Sequence, residues 1–193
     1  MFKGLKLTDI LVTIVISIGF GILYKIWGPL YYAVKPLGLH LDQLIYGMWF
    51  IAATVAFLII RKPGIALLAE IAASSGEFLM GSEFGLEVLF YGLVQGLFAE
   101  LVLMAFRYKR FDLLVVSIAG ISSCIGSLIL DFYKGYVGDL STWNLILYIG
   151  FRFIGSILFT GVLAVAIVKA LEATGVTKLV RSSSQKDHEA LNQ

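Results

Sequence analysis

Ionisable side chains are scarce in this sequence, yet several fall inside its most apolar stretches. Glu70, Ser74 and Glu77 are spaced four and three residues apart, which puts them on one face of a helix. Glu87, Tyr91 and Gln95 run at i, i+4 and i+8; Ser123, Ser127 and Asp131 repeat the spacing, as do Asn144, Tyr148 and Arg152. A charged group at a bilayer centre costs about 2.5–3.5 kcal/mol on insertion scales, so each is a functional candidate by default. Glu70, Glu77, Glu87 and Asp131 face a single basic residue, Arg152, and that balance favours a cation over an anion. Tyr91, Tyr148, Trp143 and Trp49 add aromatic faces, which stack planar rings and attract cations. The chemistry these residues suit is the capture of a small, flat, positively charged solute.

Bond-making chemistry finds little support. The sequence holds no GxxxxGK[ST] loop for ATP. No histidine lies in a span beside a serine nucleophile, and Asp131 and Asp139 are the only close aspartate pair, with Asp139 in a loop. His40 and His188 are far apart and match no zinc spacing, so no metal is expected; the one cysteine, Cys124, forbids a disulfide framework. The chain reads as a non-enzyme that uses no cofactor and binds no nucleic acid.

The elements that must position these side chains follow from composition. Of the 193 residues, 59% are hydrophobic and 15% charged, and the mean hydropathy is +0.91. A soluble domain runs nearer about 45–50% apolar and about 25% charged, which excludes a water-soluble globular fold. The reading is an all-α integral membrane protein with six spans, at about 8–24, 41–60, 63–80, 84–106, 113–132 and 143–171. Pro29, Pro36 and Pro63 are expected at or outside helix ends. The aromatic connection 25–40 reads as a loop lying along the membrane interface in contact with lipid, and 174–193 as a disordered tail. Lys3 and Lys6 precede the first apolar stretch with no small-residue cleavage site after it, so an uncleaved span is expected.

Basic residues set the orientation. With six spans, one side collects Lys3, Lys6, Arg61, Lys62, Arg107, Lys109, Arg110, Lys169, Lys178, Arg181 and Lys186, against Lys25, Lys35 and Lys134 on the other. The positive-inside rule then places both termini in the cytoplasm. At 1.5 Å per residue, Glu70, Gln95 and Arg152 each lie roughly 15–17 Å from the outer ends of their helices. Four polar stripes ending at one depth describe an outward-opening pocket, and Glu100 is the deeper exception. Two alternatives stand beside it: Glu70 and Arg152 neutralise each other, or single serines and tyrosines serve only helix–helix bonding. Asp131 has Lys134 as a second candidate partner. On the first span, Thr13, Ser17 and Gly21 form a small-residue stripe that another helix of this chain or a second subunit can approach closely, and Gly92 and Gly96 form a GxxxG on the fourth.

Particular runs also resemble a known family. Arg61-Lys62-Pro63-Gly64, Leu67-Leu68-Ala69-Glu70, Tyr91-Gly92-Leu93-Val94-Gln95-Gly96, Ala99-Glu100-Leu101 and Phe106-Arg107-Tyr108 are similar to the YkoE-type substrate-binding (S) subunits of energy-coupling factor transporters. The resemblance implies a six-helix subunit of the bacterial plasma membrane that captures thiamin, or its hydroxymethylpyrimidine moiety, from outside. It also implies partners: a transmembrane coupling subunit and two ATPase subunits. Glu70, Gln95 and Glu100 carry over as family-motif positions. The first connection, 25–40, matches the lid of other S subunits, and Thr13, Ser17 and Gly21 stand where their coupling-subunit docking stripe lies. A stand-alone proton- or cation-coupled carrier, with Glu70, Glu100 and Arg152 as a relay, is the competing expectation.

Overall fold

The protein is described from a computed structural model covering residues 5–175 and residue 177, so the expected tail lies almost wholly outside the described residues. The helices are α1 (Leu7–Val34), α2 (Asp42–Ile45), α3 (Ile51–Ile60), α4 (Ile65–Leu79), α5 (Glu87–Ala105), α6 (Leu113–Tyr133), α7 (Thr142–Ser156) and α8 (Ala164–Ala173). A 3-10 segment, Tyr46–Phe50, joins α2 to α3, and a π-helical segment, Ile157–Leu163, joins α7 to α8 into one rod. Among the described residues there is no strand.

Among the described residues, five segments are long and apolar enough to cross a membrane: Leu7–Leu37, Asp42–Ile60, Glu87–Ala105, Leu113–Tyr133 and Thr142–Ala173. The third expected span, now α4, has 15 residues. That gives it about 22 Å of length against a hydrocarbon core of about 30 Å. Its own Glu70 and Glu77 dilute its hydropathy as well.

At the centre stands α3, every one of whose ten residues is buried. Its sequence, IAATVAFLII, is apolar all round but for Thr54, whose hydroxyl donates back to the Ile51 carbonyl (3.0 Å), as suits a helix with neighbours on every side. Two backbone features end it and reverse the chain. Arg61 turns left-handed (φ 59°), and Gly64, after Pro63, takes φ 82°. Only a residue without a Cβ adopts the latter cheaply, so α4 starts at Ile65 rather than at Pro63.

The first helix departs most from the sequence reading. The stretch 25–40 is no loop over most of its length, because α1 continues unbroken to Val34 and carries Pro29 inside it. The reason lies in its buried face. Thr13, Ser17, Gly21, Tyr24, Gly28 and Tyr31 form one continuous helical stripe, while Pro29 falls on the exposed side. The opposite face shows Leu11, Val15, Ile18, Ile22 and Ile26 to the surroundings.

This stripe also corrects the assignment of Thr13, Ser17 and Gly21 to a coupling subunit. All three are buried within this chain, and at Gly21 the neighbour is α4, where a Cβ would lie 2.9 Å from the Ala73 carbonyl oxygen. Gly92 and Gly96 serve a similar contact, where α5 crosses α4 at Ser74, Glu70 and Leu67.

Candidate functional site

These helices enclose a cavity of about 500 Å³. One wall comes from α1 and α4. Glu70 accepts from the Tyr24 hydroxyl (3.1 Å) and from the backbone N–H of Ala53 (3.1 Å), while the Tyr24 oxygen accepts from the N–H of Ala52 (3.0 Å). The first N–H groups of a helix have no partner within it, and α3 has no side-chain cap of its own. A carboxylate from α4 and a phenol from α1 therefore cap α3 from outside, where its dipole favours negative charge. Two turns further along α4, Glu77 accepts from Trp49 Nε1 (3.2 Å) and Ser82 Oγ (2.8 Å). Among the described residues neither glutamate forms an ion pair.

The facing wall is built on α6 and α7 around a buried ion pair. Arg152 meets Asp131, and that carboxylate also accepts from Tyr91 (2.6 Å) and Tyr148 (2.8 Å). The guanidinium further donates to Ser127 Oγ (3.1 Å), Gln43 Oε1 (2.7 Å from Nε) and the Tyr148 hydroxyl. Its plane lies over the rings of Tyr46 (3.7 Å) and Tyr148 (4.6 Å). Removing one member of such a pair strands a buried charge, at a cost of about 3–5 kcal/mol, so the cluster holds together as a unit.

At the mouth, Tyr31, Tyr32, Trp49 and Phe84 pack ring against ring, with Tyr32 and Phe84 stacked at 5.7 Å. Lys35 and His40 also line the cavity, His40 against the Tyr148 ring (5.5 Å). Lys25 on α1 ties down the α4–α5 connection through Glu83 and the Gly81 carbonyl (2.7 Å). Burial alone would push the Glu83 carboxyl up, but the hydrogen bonds and charge around it, Lys25 foremost, hold it below the usual carboxylate range.

Of the residues singled out in the sequence, Glu70, Glu77, Glu87, Tyr91, Gln95, Asp131, Tyr148, Arg152 and Trp49 all line this cavity. Glu87 sits at its edge, held by Lys134 (2.6 Å) and the Tyr136 hydroxyl (2.8 Å). Lys134 is thus not the partner of Asp131, and Arg152 pairs with Asp131 rather than Glu70. Three candidates lie elsewhere. Trp143 is 65% exposed, and Asn144 does not reach the cavity. Glu100 accepts from the backbone N–H groups of Gly64 (2.6 Å), Ala66 (3.0 Å) and Leu67 (3.2 Å), which makes it the cap of α4.

The sequence reading missed Tyr24, Tyr31, Asp42, Gln43 and Tyr46, which also line the cavity. A signal existed for the first two, since Tyr24 and Tyr31 continue the helical spacing of Thr13, Ser17 and Gly21. Asp42 and Gln43 stood at the polar start of a span, where solvated ends are ordinary.

Comparison with known proteins agrees with this architecture. Residues 8–126 match the family described as "ABC-type cobalt transport system, permease component". Among the described residues, no three His, Cys, Asp or Glu side chains are arranged to hold a metal ion. A protein of Bacillus subtilis (strain 168), YkoE, whose name assigns it as an HMP/thiamine permease, is 35% identical over 185 residues, covering 90% of this chain and 88% of its own. A crystal structure of an S-component of an ECF transporter superposes with a TM-score of 0.85 at 34% identity, over 98% of each chain. Such components are non-catalytic parts of transporters, and the apolar helices described above make this a multi-pass protein of the plasma membrane. The chain belongs to the YkoE-type substrate-binding S components of energy-coupling factor transporters.

Proposed function

We propose that this protein captures thiamin or its hydroxymethylpyrimidine moiety from outside the cell and hands it to an ATP-driven importer. One observation carries the reading: Glu70 and Glu77 stand on one cavity wall without an ion-pair partner among the described residues, opposite a cation already bonded to Asp131. A thiazolium cation finds uncompensated negative charge there. The flat pyrimidine finds the Tyr91, Tyr148 and Trp49 rings. Gln95 lines the cavity and is the hydrogen-bonding group for the pyrimidine edge. Cofactors play no part in this scheme; thiamin is the ligand.

In this reading α4 completes six crossings, both termini are cytoplasmic, and the cavity faces outward. The apolar cytoplasmic half holds the ligand until a transmembrane coupling subunit and two ATPase subunits move the helices. Titration of the purified protein with thiamin and with hydroxymethylpyrimidine, read by tryptophan fluorescence, tests the assignment. Absence of saturable binding at micromolar ligand sinks it. Uptake by the reconstituted protein alone along an ion gradient would instead favour a stand-alone carrier.

A further inference from the structure

The Asp131–Arg152 cluster has a property that the ligand reading does not require. A guanidinium carries five N–H donors. Here all five are engaged by the protein: Nε by Gln43, one terminal nitrogen by Ser127 and Asp131, the other by Gln43 and Tyr148. Rings cover the guanidinium at 3.7 Å and 4.6 Å, and the residue is 1% exposed. Arg152 therefore has no donor left for a ligand. Apart from it, the cavity lining contains five carboxylates (Asp42, Glu70, Glu77, Glu87 and Asp131) and only two basic residues: Lys35, which is exposed, and His40, which packs against the Tyr148 ring (5.5 Å).

We propose that this cluster is a charge filter: with its guanidinium bonded within the wall, the cavity admits cationic and neutral pyrimidines and rejects their phosphate esters. The inference rests on the ligand reading above. Asp131 is the determinant, because it keeps Arg152 from receiving an anion, and Arg152 is a positioning residue that holds Asp131, Tyr148 and Gln43. A phosphomonoester brings roughly −1.5 to −2 charge and three acceptor oxygens. Inside this cavity those oxygens meet like charge and a guanidinium with no free donor, a combination that disfavours binding strongly where water is excluded. At the rim, Lys35 lies over the Tyr32 ring (6.0 Å) in contact with solvent, where screening weakens its attraction.

Calorimetric titration of the full chain in detergent with thiamin, thiamin monophosphate and uncharged hydroxymethylpyrimidine decides the matter. The native protein is expected to bind the monophosphate at least about 100-fold more weakly than thiamin. Asp131→Asn removes one negative charge and loosens the guanidinium, so the gap should narrow by about tenfold or more. Arg152→Gln leaves Asp131 uncompensated. It should raise the affinity ratio of thiamin to hydroxymethylpyrimidine, whereas a purely structural role would lower both affinities by the same factor.

Equal binding of thiamin and its monophosphate by the native protein overturns the filter, even where a variant fails to fold. Unchanged ratios in two folded variants overturn the roles of Asp131 and Arg152. Failure of all three compounds to bind refutes the ligand reading itself, a result distinct from either.

Discussion

Replacing Glu100 separates two roles for a carboxylate deep in an apolar helix. Its oxygens take three backbone N–H groups at the start of α4, at 2.6, 3.0 and 3.2 Å. A hydrogen bond to a charged acceptor contributes about 1.5–3 kcal/mol, and a charge at a helix N-terminus about 0.3–1 kcal/mol more. The three bonds share one acceptor and stand near the surface, where water replaces part of what is lost. Glu100→Ala should therefore cost about 3 kcal/mol rather than the full sum. For a chain of this size that lowers the midpoint of thermal unfolding by about 6–12 °C. Glu100→Gln should lose roughly half as much, since one oxygen still accepts while the amide nitrogen faces other donors. The assay is thermal unfolding in detergent beside a thiamin titration of the same samples. An unchanged midpoint together with lost thiamin binding would refute the capping argument and return Glu100 to the ligand.

Further outcomes follow from the same geometry. Trp49 lines the cavity and Trp143 does not, so Trp49→Phe should remove the fluorescence response to thiamin while Trp143→Phe preserves it; the opposite pattern contradicts the site. At Gly155 an added Cβ would strike the Leu44 carbonyl, whereas at Gly150 it meets nothing within 4 Å. Gly155→Ala should then cost about 3 kcal/mol and Gly150→Ala under about 0.5 kcal/mol, as read from thermal midpoints. Glu83 is held below its ordinary range, so its contact with Lys25 contributes fully above about pH 4.5 and is lost as pH falls through the lowered folded-state value. Hydrogen exchange over 25–34 should accelerate below that point and remain flat in Glu83→Gln.

Much of this architecture is legible in the sequence, because a membrane makes polar residues conspicuous. Glu70, Gln95 and Arg152 interrupt apolar runs at matching depth, Asp131 closes a fourth polar stripe, and the chain folds all four into one cavity. What was hidden is pairing. Spacing along a helix cannot say which helix it faces, so Thr13, Ser17 and Gly21 read equally as an outer docking stripe or an inner seam. Glu100 shows the same ambiguity: a carboxylate in an apolar run signals a site, yet Gly64 and the first turn of α4 supplied backbone donors that no side-chain pattern records. Pro29 misled for another reason. Its ring is tolerated mid-helix on the exposed face, while Tyr24, Gly28 and Tyr31 continue packing on the other.

The burial of α3 has a consequence for how the chain is made. A ribosome delivers this helix to the bilayer well before α8, and α8 is one of the walls that enclose it. While synthesis proceeds, Ile51–Ile60 must sit among acyl chains, which its apolar surface permits, since the one hydroxyl, of Thr54, bonds back to the Ile51 carbonyl. It leaves that solvent only when the last helix closes over it. The finished protein thus keeps at its centre a segment written for lipid that lipid no longer touches. A nascent chain halted before Ala164 should expose α3 to lipid-phase photolabels that the complete protein excludes.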